Sequence, residues 1–130
     1  MARAHGGTDD PAMRQRLAAM WIRLRIMRWN ALRALRVDED VALPREAMIN
    51  KLYWADLHRD MGELAMDVQG AASLLTRYSA ADEGDAGEHE MSSLHKLFFF
   101  SRADTIYGGS DEIQRNVIGE RALGLPREPR

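Results

Sequence analysis

The sequence predicts an all-α fold, an antiparallel helical bundle. Three observations carry that expectation. Apolar residues recur at three- and four-residue steps over long segments, helix-start residues stand ahead of each segment, and the alternation expected of strands is almost missing. The 130 residues, 45% of them hydrophobic, suffice for one domain with a modest core.

The first helix is announced by "GGTDD" followed by Pro11. An Asp there accepts from the orphan amides of the first turn, and Pro gives up only an N–H that would have had no helical partner. From Met13 to Leu35, the residues Leu17, Met20, Trp21, Leu24, Met27, Ala31, Leu32 and Leu35 make a stripe expected to be buried. Ile22, Ile26 and Trp29 lie on another side and predict a second neighbour. Between them stand Arg14, Arg16, Arg23, Arg25, Arg28, Arg33 and Arg36, with no acid from Pro11 to Val37. Arginines so placed could grip phosphate. They are spread around the helix, however, and Asp38, Glu39 and Asp40 follow at once, so pairing with acids elsewhere in the assembly is the favoured reading.

Pro44 marks the second helix, with Glu46 in its first turn. Tyr53, Leu57, Met61, Leu64, Val68 and Leu75 hold its stripe for some thirty residues, weakened locally by Gly62 and Gly70, and a glycine inside a helix often marks close packing. An acidic, small-residue stretch at 81–91 reads as a flexible surface loop. Ser92 or Ser93 caps a third helix through Leu94, Leu97, Phe98 and Ile106. The fourth opens at Ser110 and stops near Gly124, with Pro126 beyond it. Residues 1–10 read as an N-terminal loop or remnant and 11–130 as the helical domain.

Composition excludes several functions. A net charge of −2 and a pI near 6.1 give no global attraction to nucleic acid or membrane. Without cysteine there is no disulfide framework, thiolate metal site or thiol nucleophile, which suits a soluble protein of the cytoplasm. No apolar run reaches membrane-spanning length, and the first residues lack the apolar core of a secretory signal. His58, His89 and His95 are not spaced as a helical metal pair and are expected to be solvated surface histidines. The serines of "ASLL" and "MSSL" have neither a base nor an oxyanion hole nearby in sequence.

The turn "YGGSDEIQ" is the one local feature with chemical content. Gly108 and Gly109 let the backbone pass close to something flat or bulky, since neither carries a Cβ. Ser110 can cap the helix, whose first amides form an acceptor site for an anion or polar ligand. Asp111 and Glu112 equally suit the positive end of the helix dipole. On capping physics alone, a ligand site and a well-made helix start stand level.

The segment "TIYGGSDEIQRNVIGERALGLPRE" closely resembles the C-terminal signature of the acyl-CoA dehydrogenases, in the form of an actinobacterial-type member. "FFFSRADTI", "KLYWADLHRDMGELAMDVQG" and "DDPAMRQRLA" follow the family's order, so the resemblance covers nearly the whole chain apart from the acidic loop. It implies the C-terminal helical domain of a flavoenzyme of lipid metabolism, fatty acid β-oxidation among its roles, with this domain's first helix lying upstream. Such an enzyme takes the α proton and β hydride from an acyl-CoA thioester to give a 2-enoyl-CoA and reduced FAD. The implied partners are acyl-CoA, other acyl-CoA dehydrogenase subunits in a homo- or hetero-oligomer, and electron-transfer flavoprotein or a similar acceptor.

Carried over by position, the resemblance places no catalytic base here. The position that is Glu in many members is Gly108, so the base is expected upstream or on a partner subunit. Gly109 matches the glycine beside the substrate thioester, and Ser110 and Glu112 match positions on the FAD side. A second family segment, roughly Gln-x-x-Gly-Gly-x-Gly, meets the FAD of a neighbouring subunit, and "DVQGAAS" corresponds to it. There Asp67 replaces Gln, Gly70 holds, and Ala71 and Ser73 replace glycines, which weakens the contact. The chain is therefore expected to form part of a flavin and acyl-CoA site without binding FAD alone. The alternative is a non-catalytic helical assembly module of a heteromeric enzyme.

Overall fold

A computed structural model of the chain describes residues 2–35, 44–75 and 91–127. Every regular element among them is helical. Helix α1 spans Pro11–Ala34, α2 is the single turn Arg45–Met48, α3 spans Asn50–Gln69, α4 Ser93–Asp104 and α5 Asp111–Val117. Short 3₁₀ turns occupy Ala2–His5, where a loop was expected, and Gly70–Leu74, and a π turn at Ile118–Ala122 continues α5.

The start and stop signals act as their chemistry predicts. Asp10 accepts from the Ala12 amide at 2.9 Å with Pro11 at the first position of α1. Ser92, rather than Ser93, caps α4 by accepting from the His95 amide at 3.3 Å. Gly124, at φ +69°, takes the left-handed conformation that ends the last helix. The second helix is shorter than its periodicity suggested. Gly70, at φ +58°, terminates α3, and Leu75 lies outside the core at 60% exposure. Ile106 likewise falls beyond α4 and is exposed.

Helix α3 is the centre of the bundle. It packs on α4 along one side and on α1 along another, both antiparallel: Arg16 pairs with Asp67 and Arg23 with Asp60 across α1–α3, while His58 meets Asp104 and Arg102 meets Glu63 across α3–α4. Among the described residues all five buried apolar side chains, Ala55, Leu57, Leu64, Ala65 and Val68, belong to α3. Its approach to α4 is close because Gly62 has no side chain: a Cβ there would lie 3.0 Å from both the Phe98 Cα and the Ser101 Oγ.

The register of α1 differs from the expected stripe. No α1 residue is fully buried, and its half-buried line is Met13, Leu17, Met20, Arg23, Met27, Asn30 and Ala34. Two polar residues sit on that line because α3 and the α2 turn satisfy them. The Arg23 guanidinium pairs with Asp60, and the Asn30 amide donates to the Glu46 carbonyl at 2.7 Å and to Asn50 at 2.8 Å. Trp21, Leu24, Leu32 and Leu35 instead join Ile22, Ile26 and Trp29 on an exposed apolar face. Arginine pairing within the chain is as anticipated for Arg16, Arg23 and Arg33, the last with Glu46. Asp38–Asp40, the loop at 81–90 and His89 lie outside the described residues, among which no helix is long and apolar enough to cross a membrane.

Candidate functional site

The turn between α4 and α5 requires its glycines. Gly108 has φ +68° and Gly109 φ +97°, both in the region that L side chains seldom adopt. Two side chains then hold the two carbonyls. Gln114, one turn into α5, donates to the Gly108 oxygen, and Lys51, in the first turn of α3, donates to the Gly109 oxygen. In a planar trans peptide the N–H points opposite to the C=O. Holding these carbonyls therefore directs the amides of Gly109 and Ser110 the other way, and neither amide has an acceptor among the described residues.

Behind the turn lies a polar network that the sequence did not reveal. Asp104, 1% exposed at the end of α4, accepts from His58 Nδ1 through one oxygen and from the Tyr107 hydroxyl through the other. A carboxylate can only accept, so both partners donate. Donation to Asp104 favours the neutral phenol and raises the Tyr107 pKa above its usual value. His58 also stacks on Trp54, with ring centroids 4.3 Å apart. His95 is equally far from being a solvated histidine. It is 6% exposed, its Nε2 donates to the Ser73 carbonyl at 2.8 Å, and its Nδ1 takes the Ser92 hydroxyl at 2.7 Å. Both histidines were expected in solvent, because the residues that bury them are remote in sequence.

Ser110 occupies the N-cap position of α5 but makes no side-chain bond to the helix backbone. The Ser110 side chain, then the backbone amide of Glu112 itself and, least, the charge of Arg115 hold the Glu112 carboxyl below its ordinary value, against an opposing effect of burial. A lowered carboxyl pKa contributes stability above the unfolded pKa and loses it as pH falls through the folded one. Ser110→Ala is expected to move the Glu112 titration midpoint up toward 4.5, its ordinary value, with no change near pH 7. Carboxyl-carbon NMR of a labelled sample reads that midpoint directly, and an unmoved value would remove Ser110 as the cause.

The second pair of predicted residues, Asp67 and Gly70, lies at the opposite end of α3. Lys51 and Asp67 are sixteen positions apart in one helix, roughly 24 Å at 1.5 Å per residue. The turn and the "DVQGAAS" segment therefore cannot meet at one point within the chain. Asp67 pairs with Arg16, which offsets the charge that replaces the family's amide. Gly70 is exposed and no atom lies within 4 Å of where its Cβ would stand, so this backbone is open to a ligand. Beside it Gln69 is 6% exposed, and both its amide atoms lack a hydrogen-bond partner. An orphaned buried amide next to an open backbone suits the polar edge of a nucleotide cofactor. Sequence reading passed Gln69 over because the motif points to the residue two positions earlier.

Finally, an open, mostly apolar groove of about 710 Å³ lies against α4, lined by Met91, Leu97, Phe99, Phe100 and Ala103 together with His58, Ser93 and Lys96. Among the described residues no three His, Asp or Glu side chains gather as a metal site.

The described residues thus form a helical bundle with a glycine turn, two open amides beside it and an exposed apolar helix face. The chain belongs to the family described as "Acyl-CoA dehydrogenase, C-terminal domain", whose profile matches residues 2–123. Over 128 residues it is 48% identical to acyl-CoA dehydrogenase IpdE1 of Mycolicibacterium smegmatis (strain ATCC 700084 / mc(2)155), covering 98% of this chain and 29% of that protein. IpdE1 of Mycobacterium tuberculosis (strain ATCC 25618 / H37Rv) is 45% identical over the same length, covering 98% of this chain and 30% of that protein. Among solved structures, the "Tcur3481-Tcur3483 steroid ACAD" superposes with a TM-score of 0.75 at 26% identity, covering 98% of this chain and 32% of that one. The chain thus spans about three tenths of the length of these relatives. The resemblance drawn from the C-terminal signature and the all-α fold are both borne out.

Proposed function

We propose that this chain is the C-terminal, site-forming domain of an FAD-dependent acyl-CoA dehydrogenase that converts an acyl-CoA thioester to its 2-enoyl-CoA. The observation that carries the reading is the Gly108–Gly109 turn, with two free amides directed by Lys51 and Gln114. Directed backbone donors are what a thioester carbonyl needs as negative charge gathers on its oxygen during loss of the α proton. Gly108 cannot take that proton, so the base comes from an upstream helix or a partner subunit. FAD, when bound, supplies the hydride acceptor. Ser110 and Glu112 would hold it on the turn side, while Asp67, Gln69 and Gly70 would touch a neighbouring subunit's flavin at the far end of α3. The separation of the two sets favours that division.

The similarity to a steroid dehydrogenase favours a steroid-derived acyl-CoA over a simple fatty acyl-CoA as substrate. The two-part designation of that complex supports a hetero-oligomer, working in the cytoplasm with electron-transfer flavoprotein or a similar acceptor. In such an assembly the α1 face of Trp21, Ile22, Ile26 and Trp29 would be covered, since so much exposed apolar surface on one helix marks an interface.

Native mass spectrometry with a flavin absorption spectrum, on the complex this sequence forms in its own host, tests the proposal. A longer chain or a larger partner carrying FAD is the expected result. A free short chain in a flavin-less oligomer would leave only the assembly-module reading.

A further inference from the structure

His95 stands at the third position of α4, where a capping box places Glu or Gln. Its amide donates to the Ser92 oxygen and its Nδ1 takes the Ser92 hydroxyl, so one edge of the ring completes the helix start. The other edge leaves the helix. Nε2 donates to the Ser73 carbonyl at 2.8 Å, across 22 positions of sequence. A carbonyl can only accept, so the ring proton is on Nε2 and the Nδ1 lone pair meets Ser92. At 6% exposure an unpaired ring nitrogen would be costly, and both are matched.

Ser73 passes this hold along the chain. Its hydroxyl donates to the Gly70 carbonyl at 2.7 Å. One residue of the 3₁₀ turn Gly70–Leu74 is therefore held from α4 through its carbonyl and holds the start of the turn through its side chain. The turn needs an outside tie. Gly70, at φ +58°, has wide backbone freedom, and no atom lies within 4 Å of where its Cβ would stand. A short 3₁₀ turn also has poorer hydrogen-bond geometry of its own than an α-helix. At this same end of α3, Gln69 keeps both amide atoms buried without a partner. Ser73, which stands where the family segment has a glycine, does not obstruct this edge but ties it.

We propose that His95 is a positioning residue for the cofactor edge: through Ser73 it fixes the Gly70–Leu74 turn in the shape that meets a neighbouring subunit's flavin nucleotide beside Gln69. The proposal rests on the dehydrogenase reading above. His95 acts through the backbone and does not itself touch the flavin.

The test uses three variants of the complete assembly. His95→Leu removes both ring nitrogens, and His95→Gln returns an amide donor for the Ser73 carbonyl. Ser73→Ala removes only the hydroxyl and leaves the start of α4 intact. Flavin fluorescence on dilution of the holo-assembly reads the dissociation constant for FAD. It should rise about three- to tenfold in His95→Leu and in Ser73→Ala, the worth of one neutral hydrogen bond, and His95→Gln should restore most of it. Hydrogen–deuterium exchange followed by mass spectrometry should show peptides over 68–75 exchanging ~10-fold faster in the first and third variants, with peptides over 50–66 and 111–122 unchanged. Unchanged exchange over 68–75 would overturn the proposal, because His95 would not be holding the turn. Faster exchange there with unaltered FAD affinity would overturn it too, since the shape of the turn would not matter to the cofactor. Weaker FAD binding in His95→Leu alone, without rescue by Gln, would reduce His95 to a support of α4. A wild-type assembly that holds no flavin would sink the dehydrogenase reading and this proposal together, whereas a flavin-bearing wild type matched by all three variants would sink this proposal alone.

Discussion

Replacing Gly109 with alanine is expected to lower kcat/KM of the complete assembly by about 10- to 100-fold. At φ +97° any side chain is strained, and holding a residue in such a region costs roughly 1–3 kcal/mol. Space adds to the conformational cost. The new Cβ would stand 2.9 Å from Gln114 Nε2 and 3.3 Å from Ile113 Cγ2. The Gln114 amide is the end of a flexible side chain and can retreat, but retreat releases the Gly108 carbonyl and with it the direction of the Gly109 amide. About 1.4 kcal/mol corresponds to each tenfold change in rate, which sets the expected range. Steady-state kinetics on Gly109→Ala, alone and combined with Gln114→Ala, separates the two causes. The double variant relieves the crowding but not the strain, so it should lose no less than the single one. Activity within twofold of wild type would mean that the turn does not position the substrate.

Gly62→Val is the change with the largest expected effect on stability, about 3 kcal/mol in the destabilising direction. In an open helix, filling a glycine usually stabilises by roughly 0.5–1 kcal/mol. Here the neighbour at 3.0 Å is the Phe98 Cα, which is backbone and cannot swing aside, so α3 and α4 must separate. Separation would also disturb Ser101 and Asp104, both buried on the same side of α4, and through Asp104 its bonds to His58 and Tyr107. Thermal unfolding of the assembly carrying Gly62→Val should therefore shift down by several degrees, and acyl-CoA turnover should fall at temperatures below the transition. An unchanged melting temperature would show that the α3–α4 approach tolerates a larger residue, contrary to the contact described.

Much of the architecture was legible because its causes are local. Asp10 ahead of Pro11, Ser92 ahead of α4, and Gly124 ahead of Pro126 act over two or three residues, and each does in the fold what its chemistry allows. The glycine turn was legible for the same reason, and its signature named the family. Gly62 was recognised as a site of close packing and Gly70 as a local weakness, although Gly70 ends the helix outright.

What was not legible depends on pairs far apart in the chain. Apolar spacing alone placed Trp21 and Leu24 inside α1, yet Arg23 and Asn30 face α3, because Asp60, Asn50 and the Glu46 carbonyl lie waiting there. A buried polar group is tolerated only when such partners exist, and no periodicity reports them. The tryptophans of α1 are therefore left exposed rather than built into this domain's own core.

The sequence by itself determined the helical class, the starts of α1 and α4, the stop at Gly124, the two glycines of the turn and the absence of a side-chain base at Gly108, since each follows from a residue's own covalent form and its nearest neighbours. Only the tertiary structure decided that His58 and Tyr107 share the buried Asp104, that Lys51 reaches the Gly109 carbonyl, and that Gln69 is left with its amide unmatched. Those contacts exist only after antiparallel helices bring together residues many positions apart, and their energetics depend on the water excluded when they meet.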